Sequence, residues 1–300
     1  MKITYIEHNS KGILHKIDSP RLPFNWGANP YRGCLQSCIY CYARYTHRYL
    51  NLDPESDFET TIIVKKNAAQ ILRKELSNPK WKKELVNLGS ICDPYQPIEK
   101  KYQITREMLK EFSRYKVPLT IATKSNLISR DIDIITEMSK ETYVDVVISI
   151  SSINDQIRKQ IEPRTTSTQG RLKLAEELSS FSINVGILLM PIIPFLNDSD
   201  EDLEELFSEI SKVKPKYVIP GIMYLTSSPK KRFLEFIEMV HPKLLPNFKD
   251  YYKGRSPPKS YKDNMYKKLT KLRQKYNLHE YKSSYTNTSS TNQCKLDSWF

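Results

Sequence analysis

The 300-residue sequence predicts an α/β fold in which helices cover a parallel sheet, and three observations lead there. Short runs rich in Val, Ile and Leu recur at 85–92, 118–123, 144–150, 184–190 and 217–224. Segments with apolar residues at helical spacing lie between them. The runs are apolar almost throughout rather than alternating, as expected of strands buried on both faces. With a first strand at 22–26 these make six strand–helix units. Six units suit a partial (β/α)6 TIM-type barrel, and a doubly wound open sheet would show the same periodicity.

Taken in order, residues 1–21 read as an irregular N-terminal arm, with Pro20, Pro23 and Pro30 ruling out a helix. Residues 42–50 read as helical and 61–64 as a short edge strand, and Ala68, Ile71, Leu72 and Leu76 share a helix face. Later helix faces are Met108, Leu109, Phe112 and Tyr115, then Ile134, Ile135 and Met138, then Leu172, Ala175, Leu178 and Phe181. Leu203, Leu206, Phe207, Ile210 and Val213 mark another, and a helix over 229–240 ends the core, 22–241. Pro242, Pro246, Pro257 and Pro258 mark the break to a basic C-terminal extension, 242–300. Its helix aligns Tyr261, Met265, Leu269, Leu272 and Tyr276; residues 285–293 read as a loop, and Trp299 and Phe300 as folding back on the body.

The net charge is +13, and residues 243–282 hold twelve Lys or Arg against three acids. Tyr251, Tyr252, Tyr261, Tyr266, Tyr276 and Tyr281 interleave them. Cations for phosphates with aromatics for stacking is the pattern of a nucleic-acid surface, although a chain rich in Lys, Ile, Asn and Tyr would show it by composition alone. Mean hydropathy is −0.55. The most apolar run, 187–196, is broken by Pro191 and Pro194 and too short to span a bilayer. With no signal-peptide pattern, a cytoplasmic protein without membrane contact is expected.

Three of the five cysteines, Cys34, Cys38 and Cys41, lie within eight residues, spaced Cys-x3-Cys-x2-Cys. Thiolates so close need a positive centre, either a metal ion or an iron–sulfur cluster. A structural zinc site takes a fourth protein ligand, for which His47, Cys92 and Cys294 are the candidates. A [4Fe–4S] cluster on three thiolates keeps one iron open. Cys34-x3-Cys38-x-Tyr40-Cys41 resembles the signature of the radical S-adenosylmethionine (SAM) superfamily, and the string from Asn29 to Arg44 resembles its spore-photoproduct-lyase-like branch. The resemblance implies a partial (β/α)6 barrel, a [4Fe–4S] cluster on the three cysteines and S-adenosyl-L-methionine on the fourth iron, with Tyr40 beside the adenine. It further implies one electron from a flavodoxin or ferredoxin-type donor, cleavage of SAM to a 5′-deoxyadenosyl radical, and hydrogen abstraction from substrate. A thymine photoproduct in DNA is the substrate the branch suggests; a peptide, RNA or small metabolite is the alternative. A zinc-stabilised nucleic-acid-binding protein without catalysis is the alternative of another class.

Other site candidates fall at strand ends, where such folds bind ligands. Asp93, after Cys92, takes by resemblance the place that meets the amino group of SAM. Cys92 is near the position of the lyase's hydrogen-atom donor, against the plainer reading of a buried thiol, and Tyr95 is a candidate for an assisting tyrosine. Thr123, Lys124 and Ser125 end the third strand, with Lys124 suited to the SAM carboxylate. Ser149 and Ser151 suit the ribose. Arg164, in a Glu-Pro-Arg string like that of family members, suits a carboxylate. Met190 and Pro191 suit the adenine.

Overall fold

The computed structural model describes residues 2–19 and 22–281. Its strands are β1 (Thr4–His8), β2 (Leu14–Lys16), β3 (Trp26–Ala28), β4 (Tyr31–Arg32), β5 (Thr61–Lys65), β6 (Val86–Leu88), β7 (Leu119–Thr123), β8 (Val144–Ile150), β9 (Asn184–Ile192) and β10 (Tyr217–Ile222). Its α-helices are α1 (Ala68–Leu76), α2 (Glu99–Tyr102), α3 (Ile104–Arg114), α4 (Ile132–Glu141), α5 (Asp155–Ile161), α6 (Thr168–Ser180), α7 (Asp200–Lys212), α8 (Ser227–Val240), α9 (Leu245–Tyr251) and α10 (Lys259–Lys275).

Strands β3, β6, β7, β8, β9 and β10 lie side by side in chain order, all parallel, and β2 joins β3 antiparallel at the edge. A doubly wound sheet reverses its strand order at a switch point. This sheet never reverses, so it has the singly wound order of a partial barrel. β8 is buried along its whole length, as a strand covered on both faces must be. The main core joins these strands to the inward faces of α1, α3, α4, α6 and α7. Phe233, Phe236 and Ile237 of α8 and Phe248 of α9 form a second cluster with Ile39, from the cysteine loop.

Three expectations are corrected. The N-terminal arm is not irregular: β1 pairs parallel with β5 in a second sheet, completed by β4, and β2 extends the main one. The first parallel strand is 26–28 rather than 22–26. The second is only three residues long, because Gly89 takes φ +100 and turns the chain, and a Cβ there would meet the Ala122 carbonyl at 2.9 Å.

The C-terminal tyrosines also serve differently. Tyr252 is buried, Tyr251 packs on Phe195, and Tyr281 packs on Tyr217. Tyr261 donates to Asp198 and Tyr276 to Glu204, both tying α10 to the α7 region. Tyr266 packs against the main core, so all six are used in packing. The readings of 285–293, Cys294, Trp299 and Phe300 lie outside the described residues.

Tyr217 pairs with Gly186, whose missing side chain leaves room for the ring; a Cβ there would fall 2.2 Å from it. The ring's hydroxyl donates to buried Asp145 of β8. Burial pushes the Asp145 carboxyl up to about 6 from 3.8, against the Tyr217 bond. A carboxyl raised on folding favours the native state at low pH, and that contribution is lost as pH rises through about 6. Asp145→Asn is thus expected to gain stability relative to wild type between pH 5 and pH 8, by about 1.4 kcal/mol in urea unfolding. An unchanged difference between the two proteins would show that Asp145 is ionised throughout.

Candidate active site

The cysteine loop leaves β4 through Gly33 at φ +84, where a Cβ would stand 2.7 Å from the Thr61 carbonyl. Only glycine fits that turn. The loop is then pinned by segments distant in sequence. Cys34 N–H donates to Phe58 O at 3.0 Å, and Ile39 N–H to Ile161 O at 3.1 Å. Gln96 Oε1 accepts from Leu35 N–H at 2.9 Å while its Nε2 donates to Gly33 O at 3.1 Å. Arg44, fully buried, donates to Cys38 O at 3.1 Å and to Glu59 at 2.6 Å.

Burial pushes the thiols of Cys34, Cys38 and Cys41 up. Thiolates on this loop therefore require a bound cationic centre. The residues fit a cluster better than zinc. The Asp93 amide points at Cys34 Sγ, 3.5 Å away, a donor of the kind that tunes cluster sulfurs. His47 is turned to the Thr61 carbonyl at 3.0 Å, and the Cys92 thiol donates to Tyr31 O at 3.3 Å, so neither completes a zinc site. Among the described residues no three His, Cys, Asp or Glu side chains converge on one ion. A four-iron cluster spreads its thiolates over separate irons.

The ends of β6 and β7 are locked together by Asp93. Its Oδ1 accepts from Thr123 Oγ1 at 2.7 Å and Tyr95 N–H at 2.9 Å. Its Oδ2 accepts from Lys124 N–H at 2.8 Å and Gln36 Nε2 at 3.1 Å. Both oxygens are engaged, so Asp93 positions the cysteine loop and the β7 end. Thr123 Oγ1 also accepts from Ser125 N–H at 3.0 Å, and Ser125 Oγ accepts from Leu127 N–H at 3.2 Å to start the next turn. Tyr95 is buried with its hydroxyl on Asp131 at 3.1 Å.

Glu162, fully buried, is the centre of the site. Its Oε2 accepts from Arg171 at 2.7 Å, and its Oε1 accepts from the Tyr40 hydroxyl and lies 3.5 Å from Lys124 Nζ. Lys124 also meets Ser149 Oγ, which in turn is 3.3 Å from Met190 O. Arg171 Nη1 donates to Ser149 O at 2.6 Å. One carboxylate thus joins the cysteine loop, the ends of β7 and β8, and α6. Burial alone would raise its pKa; Arg171 first, then Lys124 and Tyr40, hold it down at about 2. After β8, Ser151 Oγ is buried without a hydrogen-bond partner among the described residues, a hydroxyl available to a polar ligand. Pro191 is buried, its carbonyl accepting from Asn197 at 3.1 Å.

Arg164 stands apart from this group. It is exposed, at the rim of a cavity of about 430 Å3 that Gln36, Tyr95 and Ser125 also line. The arginine that enters the network is Arg171. Its signal was present in the sequence, since 171 falls on the apolar face of residues 172, 175 and 178, where an unpaired cation is not expected. Glu162 lay inside the Glu-Pro-Arg string with no local sign of its partners.

The family model of the radical SAM superfamily matches residues 28–209. The chain belongs to the radical SAM superfamily. An uncharacterized protein of Mycobacterium tuberculosis is 33% identical over 278 residues, covering 92% of this chain and 82% of that one. One of Methanocaldococcus jannaschii is 28% identical over 214 residues, 71% of this chain and 75% of its own. Among solved structures, a spore photoproduct lyase mutant superposes with TM-score 0.65 over 91% of this chain and 79% of its own, at 18% identity. Another mutant, with bound AdoMet and dinucleoside spore photoproduct, gives 0.65 over the same shares at 16%. These last likenesses are of fold. Membership of the superfamily brings a [4Fe–4S] cluster and SAM, and the residues present fit both.

A carboxyl lowered on folding stabilises the native state above its ordinary pKa, and that stability is lost as pH falls from 4.5 toward about 2. Glu162→Gln should remove that acid dependence, worth about 3 kcal/mol. It should also destabilise the protein at pH 7, because Arg171 and Lys124 are left buried without their anion. Thermal melts of wild type and variant at about pH 2.5 and pH 7 test this; equal melting at pH 7 would show that Glu162 is dispensable.

Proposed function

We propose that this radical SAM enzyme abstracts hydrogen from an inert C–H bond of its substrate, and that a thymine photoproduct in DNA is the first substrate to test. The observation that carries the reading is the Cys34–Cys38–Cys41 loop, pinned to the segments that follow β6, β7 and β8. When bound, the cluster and SAM supply a 5′-deoxyadenosyl radical after one electron arrives, from a flavodoxin or ferredoxin-type donor in this proposal. The chain supplies the frame. Lys124 offers an ammonium for the SAM carboxylate, Ser149 and Ser151 offer hydroxyls for the ribose, and Tyr40 with Met190 and Pro191 offers surface for the adenine. Asp93 holds the cysteine loop in register with β7, and the burial around Glu162 excludes water.

Cys92 is proposed as the hydrogen-atom donor to the product radical. Burial pushes its thiol up to about 12, so it stays S–H, the form that can give a hydrogen atom. The fold likeness to a lyase solved with dinucleoside spore photoproduct and the lysines of 243–282 support a DNA substrate. The packed tyrosines of that region weigh against base stacking there and, within the second reading of a peptide, RNA or small metabolite, favour the peptide or the metabolite.

Anaerobic, reconstituted protein with SAM, dithionite and DNA carrying spore photoproduct decides between them by mass spectrometry. Brown, iron- and sulfide-containing protein forming 5′-deoxyadenosine is expected, with loss of both after Cys38→Ala. Restored thymines support the lyase reading; 5′-deoxyadenosine with an untouched lesion discards it and keeps the radical chemistry. If thymines are restored, Cys92→Ala should still form 5′-deoxyadenosine but lose most thymine recovery. Unimpaired recovery would remove Cys92 from the mechanism.

A further inference from the structure

A second group of side chains lies beside Cys92, and the reaction as proposed uses none of it. β4 and β5 pair antiparallel with Tyr31 opposite Val64 and Arg32 opposite Ile63. The pairing continues with Lys65 N–H on Pro30 O at 3.2 Å. Side chains alternate across a strand, so Arg32, Ile63 and Lys65 project from one face. Lys65 Nζ donates to Asn29 O at 2.8 Å. The Asn29 side chain donates to Ser90 Oγ at 2.8 Å, and Ser90 Oγ lies 3.3 Å from His15 Nε2. Cys92 Sγ is 3.8 Å from Asn29 Oδ1. Three basic side chains are thereby gathered beside the Cys92 thiol, and His15 opens the group to solvent.

The charges of Arg32 and Lys65 are not matched by acids, while burial and these two cations lower His15, whose imidazole joins the group as an uncharged ring. The Arg32 guanidinium, half-buried, makes no hydrogen bond or ion pair among the described residues. Glu75, whose charge also reaches Lys65, is occupied by the Ile13 and Leu14 amides at 3.0 Å each. Burial, with Arg32 adding repulsion, lowers the Lys65 ammonium to about 8. Desolvated cations without counter-charge are costly, and the cost is offset when an anion joins them. A planar guanidinium, an ammonium and an imidazole together match a phosphate, which accepts on several oxygens.

We propose that Arg32, Lys65 and His15 bind a phosphate group of the substrate and so place the bond to be cleaved near Cys92. The assignment of that phosphate to the substrate rests on the radical SAM reading above; the binding of phosphate does not. The carrier is a nucleic-acid backbone or a small phosphorylated molecule, which share this chemistry.

The test is calorimetric titration of the cluster-loaded protein, without reductant, with inorganic phosphate, thymidine 5′-monophosphate, thymidine and single-stranded oligothymidylate. Saturable phosphate binding is expected, with thymidine far weaker than its monophosphate. Lys65→Gln and Arg32→Gln should each weaken binding by about tenfold or more, the loss of one charged hydrogen bond. Absence of saturable phosphate binding, or equal binding by a folded Lys65→Gln protein, overturns the proposal. Acetylation of wild-type lysines, mapped by peptide mass, serves if the variants do not fold. Phosphate should protect Lys65, and equal labelling with and without it overturns the proposal. Oligothymidylate binding much tighter than the monophosphate assigns the site to a nucleic-acid backbone, and the reverse to a small molecule. SAM cleavage by the wild type, run without any phosphate ligand, tests the radical reading alone, and its failure leaves the titration standing.

Discussion

The buried carboxylate of Glu162 is the interaction on which the site depends. Four charged or polar groups from four parts of the chain meet there: Tyr40, Lys124, Arg171 and the carboxylate itself. None of the cations would be tolerated at that depth alone. With Glu162 ionised they hold one another, and the cysteine loop is tied to the strand ends through Tyr40. Asp93 does the same on the other flank, between Gln36, Thr123 and the Lys124 amide. The cysteine loop therefore has a fixed position relative to β6, β7 and β8 before any ligand arrives, which is what orientation of a reactive species requires.

The parts of this arrangement that were legible in the sequence are those whose signal is local. Cys34, Cys38 and Cys41 are spaced within one loop, and Tyr40 sits among them. Strands β7 to β10 are apolar runs with little competition from other readings. The strand order was not legible, since periodicity is the same for singly and doubly wound sheets. β1 was invisible because all five of its residues are exposed, and its partner β5 lies more than fifty residues on. α5 offers only Ile157 and Ile161 as apolar residues and is fixed by Asn154, which caps it.

The site shows the same division. Lys124 and Ser149 were found from their places at strand ends, and they do meet. Arg164 stands in a recognisable string, whereas Arg171, not singled out from sequence alone, becomes important only through a turn of α6 against β8. Asp93 is expected by resemblance at the amino group of SAM, and its two oxygens accept from the backbone and side chains around it. Charge pairing across a fold depends on distances that spacing along the chain does not encode. The lysines and tyrosines after residue 242 show the converse: a composition that resembles a nucleic-acid surface is, for most of its aromatics, ordinary packing.

The Ile39 amide is held by the carbonyl of Ile161, and Leu35 by Gln96. The loop that opens the parallel sheet is thus completed by residues made long after it. Contacts of such sequence separation form late and slowly, once the intervening loops have closed. A nascent chain or a truncated one that ends before α5 would carry all three cysteines yet lack the scaffold that orders them. Maturation with iron and sulfide is accordingly a step for a chain folded at least through α5, and the thiols must survive unoxidised until then.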